Sequence, residues 1–230
     1  MRRRFRVYCL LLLAIMSGCD TTDGNPLPVI ALIGDSTVTA EKGWGAAFAE
    51  VLNGRAMVHN FAVGGRSAKS FSEEGRLPAA LATRPDYVFI QFGHNGQPGK
   101  GAYRETDPNG SYRDYMNQFV TDIRATGAEP IIVSSLTRRH FNDDGRIVST
   151  LYPWAAGARA VANERGVAFV NLHARSVAYH TRVGREGSTV FGYAPGDHTH
   201  LSDQGARIVA GLIFDALADI NHPLAELRPQ

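Results

Sequence analysis

Two short fragments of this 230-residue chain hold the residue types needed for acyl transfer: Gly34-Asp35-Ser36-Thr37 near one end and Asp197-His198-Thr199-His200 near the other. A serine is a weak nucleophile until a base takes its proton, and an imidazole does so best when a carboxylate fixes its tautomer. Asp197 and His200 are three residues apart, a spacing at which two side chains meet on one turn of chain. Ser36 would be the nucleophile, His200 the base and then the acid, and Asp197 the orienting group. The same chemistry needs donors for the oxyanion. In the run from Asn60 to Ser67, Gly64 and Gly65 let a backbone N–H come close to a substrate. In Gln91-Phe92-Gly93-His94-Asn95, an asparagine two residues past a glycine can offer its side-chain amide.

These fragments need a scaffold that brings them to one edge. Short apolar runs predict strands at Val29–Ile33, Ala56–Ala62, Tyr87–Phe92, Pro130–Ser134 and Val167–Asn171. Between them, helices are expected at Trp44–Leu52, around Tyr112 to Ile123, and at Tyr152–Arg165, closed by Gly166. A last helix over Ser202–Asp219 has Ser202 as N-cap and Ile208, Val209, Leu212 and Ile213 on its apolar face. Continuous apolar strands alternating with helices imply an α/β fold, a five-stranded parallel sheet covered on both faces. Ligands in such sheets sit beyond the carboxyl ends of the strands, and Ser36, Gly65 and Asn95 each follow a predicted strand closely. The loop from Gly96 to Gly110 is long, polar and glycine-rich, and is expected to border the substrate.

The first residues stand outside that domain. Arg2, Arg3, Arg4 and Arg6 precede an apolar stretch from Val7 to Met16, too short to span a bilayer. Residues 1–18 read as an export signal, 19–28 as a tether and 29–230 as the folded domain. Met16-Ser17-Gly18-Cys19 resembles a bacterial lipobox, with methionine where leucine is preferred. That resemblance implies a lipidated Cys19 and an exported lipoprotein facing the periplasm or the cell surface. Four of the 24 Lys and Arg residues leave with the signal and none of the 22 Asp and Glu, so 20 against 22 leaves a net charge of −2. No basic surface for nucleic acid is implied. The two cysteines are Cys9, in the signal, and Cys19, so the domain has no disulfide, thiol nucleophile or cysteine zinc site.

Taken together and in this order, Gly34-Asp35-Ser36, Gly65, Asn95 and Asp197-x-x-His200 resemble the sequence blocks of the SGNH (GDSL-type) hydrolases. No Gly-x-Ser-x-Gly elbow occurs, which argues against an ordinary α/β-hydrolase. The resemblance implies a flavodoxin-like three-layer α/β/α sandwich, a Ser36–His200–Asp197 triad, and oxyanion donors from the Ser36 N–H, the Gly65 N–H and the Asn95 amide. No metal or organic cofactor is implied. Asn60-x-Ala62-x-x-Gly65-Arg66-Ser67, Phe92-Gly93-His94-Asn95, Thr137-Arg138-Arg139 through Phe141, Tyr152-Pro153 and Asp197-His198-Thr199-His200 are similar to the rhamnogalacturonan acetylesterase branch. By that likeness the substrate is an acetylated pectic polysaccharide or its oligosaccharides, and the likeness runs from about Ile30 to Ala216. One departure is Gly96, where the family usually has aspartate.

Other readings stay open at this point. A lipase or acyl-thioesterase of the same superfamily would share the triad, though Arg138-Arg139-His140 and the polar 96–110 loop favour a polar substrate. A non-catalytic glycan-binding lipoprotein would share the fold. Asp197, His198 and His200, with His94 and His140 brought near, could instead hold a metal. Trp44, Trp154, Tyr152 and Tyr193 are candidates to stack on sugar rings, and Arg66 either touches substrate or ties loops together.

Overall fold

The computed structural model describes residues 26–229. The export signal, Cys19 and the tether through Asn25 lie outside the described residues. Five strands, β1 (Val29–Gly34), β2 (Met57–Asn60), β3 (Tyr87–Gln91), β4 (Glu129–Val133) and β5 (Ala168–Val170), form one sheet in the order β2-β1-β3-β4-β5. Every pairing is parallel. All five strands fall on the predicted apolar runs, with ends shifted by a few residues at most.

Among the described residues, seven α-helices cover the sheet: α1 (Gly45–Val51), α2 (Ala68–Glu73), α3 (Leu77–Leu81), α4 (Ser111–Ala125), α5 (Tyr152–Arg165), α6 (Leu172–Gly187) and α7 (Asp203–Asp219). Alternate residues of β1 point to opposite faces, as the strand pleat demands. Ile30 and Leu32 join Phe48 of α1 and Val209, Ile213 and Phe214 of α7. Ala31 and Ile33 join Phe71 of α2, Met116, Phe119 and Ile123 of α4, and Val161 of α5. The result is the expected three-layer sandwich.

Local signals place the helix ends. Gly166 takes the left-handed conformation (φ 56°, ψ 50°) that closes α5, and the Ser202 hydroxyl accepts from the Gly205 N–H at the start of α7. The apolar face of α7 is rotated from the expected one. Val209 and Ile213 are core with Ala210, Phe214 and Leu217, while Ile208 and Leu212 lie half-buried beside it. Helices α2, α3 and α6 were not anticipated from the sequence.

Candidate active site

The nucleophile candidate sits where β1 runs out. A side chain at Gly34 would place its Cβ 2.5 Å from Val38 Cγ2 and 2.7 Å from the Gln91 carbonyl oxygen, so the chain can pass only as glycine. Asp35 then turns inward and is fully buried. Its Oδ1 accepts from the Thr37 N–H (2.9 Å) and the Thr37 hydroxyl (2.7 Å), and its Oδ2 lies 3.3 Å from His94 Nδ1. Burial alone would raise the Asp35 carboxyl. His94 alongside it and the donors from Thr37 outweigh that, and its pKa falls below the usual carboxylate value. The network continues through Gln91, which donates from Nε2 to Thr37 Oγ1 and accepts from Trp44 Nε1. Asp35 therefore anchors the turn from within and leaves Ser36 outermost.

His200 arrives from the other end of the chain, just before α7. Asp197 Oδ1 accepts the backbone N–H groups of Thr199 and His200, each at 2.8 Å, which curls the segment into one turn. Asp197 Oδ2 lies 2.9 Å from His200 Nδ1, and His200 Nε2 lies 2.9 Å from Ser36 Oγ. The carboxylate thus selects the tautomer with the proton on Nδ1 and a free lone pair on Nε2 facing the hydroxyl. Partial burial raises the Asp197 pKa, but the His200 and Thr199 backbone donors and the His200 ring prevail and hold it at about 2. Two ties fix the segment in place: Leu201 N donates to the Lys42 carbonyl, and Arg139 Nη2 donates to the carbonyls of both Asp197 and His200 at 2.7 Å. The bracing role of Arg139 was not foreseen, because its acceptors are backbone carbonyls, which leave no pattern in a sequence.

The remaining predicted donors converge on the same place. Ser36, Gly64, Gly65, Asn95 and His200, with Thr39, Glu41 and Lys42, line a cleft of about 540 Å³. Gly65 has φ +77°, a left-handed backbone open to glycine at little cost. Among the described residues, neither the Ser36 nor the Gly65 N–H donates to a protein acceptor. Asn95 spends one amide hydrogen on the Arg66 carbonyl, 3.1 Å away, and keeps the second.

Other residues singled out from the sequence have other duties. Trp44 is fully buried against Gln91, and Trp154 is buried with its Nε1 on Thr106 Oγ1, so neither indole can stack on a sugar. Tyr152 and Tyr193 are exposed. Arg66 ties loops, reaching Glu74 and the Gly64 carbonyl. His94 is the buried partner of Asp35. His198 packs its ring 5.0 Å from that of His140. Both nitrogens of His200 are engaged within the Asp197–Ser36 chain, and no three His, Cys, Asp or Glu side chains gather as a metal site among the described residues. Gly96 has a packing reason. A Cβ there would lie 2.5 Å from Thr106 Oγ1 and 3.0 Å from Trp154 Nε1, so the 96–110 loop folds back into the space an aspartate would need.

Comparison with known proteins places this arrangement in a family. Residues 22–208 match the GDSL-like lipase/acylhydrolase family. The chain is 34% identical over 223 residues to the rhamnogalacturonan acetylesterase RhgT of Bacillus subtilis (strain 168), covering 88% of this chain and 94% of that protein. It is 30% identical over 210 residues to a rhamnogalacturonan acetylesterase of Emericella nidulans, covering 82% and 84% of the two chains. The crystal structure of YxiM from Bacillus subtilis superposes with a TM-score of 0.74 at 25% identity, covering 85% of this chain and 57% of that one. The Ser36 turn at the end of β1, His200 before α7 and the match over residues 22–208 agree, and the chain belongs to the GDSL-like lipase/acylhydrolase family.

Proposed function

We propose that the chain is a serine esterase that removes O-acetyl groups from carbohydrate, with acetylated rhamnogalacturonan or its oligosaccharides as substrate. Ser36 Oγ attacks the acetyl carbonyl carbon while its proton passes to His200 Nε2, 2.9 Å away. Negative charge gathers on the former carbonyl oxygen, where the Ser36 and Gly65 N–H groups and the free Asn95 amide hydrogen receive it. The tetrahedral intermediate collapses, the sugar oxygen leaves with the proton from His200, and acetyl-Ser36 remains. Water, deprotonated by His200, attacks acetyl-Ser36, and as the Oγ–acetyl bond breaks the proton returns from His200 to Ser36 Oγ and acetate leaves.

The observation that carries the reading is the cleft wall. Ser36, Thr39, Glu41, Lys42, Gly64, Gly65, Asn95 and His200 include no large apolar side chain, so an acetyl group and a hydroxylated leaving group suit it. A lipase or long-chain thioesterase would need a greasy channel here. An intact Ser36–His200–Asp197 chain likewise weighs against a non-catalytic glycan binder. The names of the relatives support the pectic substrate.

The deciding experiment is acetate release from acetylated rhamnogalacturonan and from acetylated xylan, with parent and Ser36→Ala protein. Release from the pectic polymer, abolished in the variant, is expected. Release from xylan alone would discard the pectic substrate, and undiminished release by Ser36→Ala would discard the nucleophile.

The basic head, apolar body and Met16-Ser17-Gly18-Cys19 support an exported enzyme tethered through a lipidated Cys19. Cys19→Ala is expected to move the protein from the membrane fraction to the soluble one; unchanged fractionation would remove the anchor.

A further inference from the structure

Beside the catalytic cleft lies a second hollow of about 590 Å³, walled by the Gly192–His198 segment together with Arg139, Phe141 and Arg185. It shares the 197–200 turn with the triad, and Lys42 of the cleft stands 4.8 Å over the ring of Tyr193, which lines the hollow. The mechanism above makes no use of it. Its volume suits one or two sugar rings.

Its charge is one-sided. The cations on its wall are Arg139 and Arg185, and its one carboxylate is Asp197, whose oxygens are engaged by His200 and two backbone N–H groups. Arg139 is buried (4% exposed), its Nη2 meets only neutral carbonyls, and its Nη1 meets no partner. Arg185 is exposed and uses Nη2 on the carbonyls of Phe141 and Asn142, so its Nε and Nη1 remain for a ligand. A buried guanidinium with an unpartnered Nη1 is costly, and an anion in the adjoining hollow would add to what the nearby Asp197 charge compensates.

Building on the acetylesterase reading, we infer that this hollow is a subsite for a carboxylate-bearing sugar, a uronate ring of the same substrate chain. Arg185 pairs its carboxylate, the charge of Arg139 stabilises it from beneath, and Tyr193 supplies an aromatic wall. Guanidinium is the cation best matched to a planar carboxylate. Specificity for an acidic polymer would then come from this hollow, while the cleft handles only the acetyl group.

The test is calorimetric binding of deacetylated rhamnogalacturonan oligosaccharides and of the same oligosaccharides with their carboxyl groups reduced to alcohols. The parent is expected to bind the acidic set at least about tenfold more tightly, the strength of one charge-assisted pair. Arg185→Gln is expected to bring the ratio toward one and Arg185→Lys to keep part of it. Equal affinities, no binding of either set, or a ratio untouched by Arg185→Gln would overturn the subsite. Because no acetyl ester enters the experiment, its failure is separate from a failure to release acetate.

Discussion

Asp35 and His94 meet in full burial directly behind the nucleophile, with Oδ2 of one 3.3 Å from Nδ1 of the other. The pair closes a directed run of hydrogen bonds, Trp44 to Gln91 to Thr37 to Asp35, that joins α1, β3 and the turn carrying Ser36. Asp35 is the acceptor at the end of that run, taking the Thr37 N–H and hydroxyl on Oδ1 and facing His94 with Oδ2. Asp35→Asn is expected to cost about 3 kcal/mol or more of stability, measured by urea unfolding, because a buried network loses its only charged acceptor. A loss under about 1 kcal/mol would mean that the network is not what holds the turn.

Within the triad, removing the orienting carboxylate is milder than removing the base. His200→Ala is expected to lower kcat by about 10⁴-fold or more, and Asp197→Asn by about 10–100-fold less, with p-nitrophenyl acetate as the reporter. Equal losses would show that Asp197 does more than orient the ring.

The oxyanion donors are expected to act on the transition state alone. Asn95→Ala should reduce kcat by about 10²–10³-fold with little change in KM. Gly65→Ala should also lower thermal stability, because φ +77° costs an alanine about 1–2 kcal/mol. An Asn95→Ala effect confined to KM would reassign that residue to ground-state binding.

At Gly96 the penalty is one of space. Gly96→Asp is expected to destabilise the fold by about 1–3 kcal/mol through crowding against Thr106 and Trp154, and Thr106→Gly in the same chain to restore part of it. A Gly96→Asp protein as stable as the parent would show that the loop can open to admit a larger residue.

His180 gives the fold a pH dependence. It is 1% exposed, its Nδ1 lies 2.9 Å from Ser188 Oγ, and burial, reinforced by Arg139, lowers its pKa from the ordinary 6.5 to about 4. In that interval the unfolded chain takes up a proton that the folded chain refuses. Stability is therefore full above about pH 6.5 and falls as pH drops toward about 4, by at most about 1.4 kcal/mol per pH unit. Denaturant midpoints across this range should fall more steeply for the parent than for His180→Phe. Parallel profiles would assign the dependence elsewhere.

What could be read in the sequence was whatever rests on continuous apolar runs and on glycine. β1 and β3 announce themselves because both faces of a central parallel strand are buried, and α5 because Gly166 stops it. Helix α6 stayed hidden because three of its four buried positions, His173, Ser176 and His180, are polar, with Leu172 the fourth. Helices α2 and α3 are six and five residues long, too short for a period to show. That Ser36, Gly65, Asn95, Asp197 and His200 gather at one edge was legible by type, spacing and position after a strand. The bracing by Arg139 and the burial of Trp44 and Trp154 depend on tertiary neighbours that no local pattern encodes.

Ser36 and His200, the proposed nucleophile and base, are separated by 164 residues of chain. A polypeptide that emerges N-terminus first displays Ser36 early, yet has no His200 to activate it until the C-terminal helix has docked. A chain cut before His200 lacks the group that faces the Ser36 hydroxyl. The proposed activity thus requires both ends of the domain to be in place, and a single turnover assay reports on their docking.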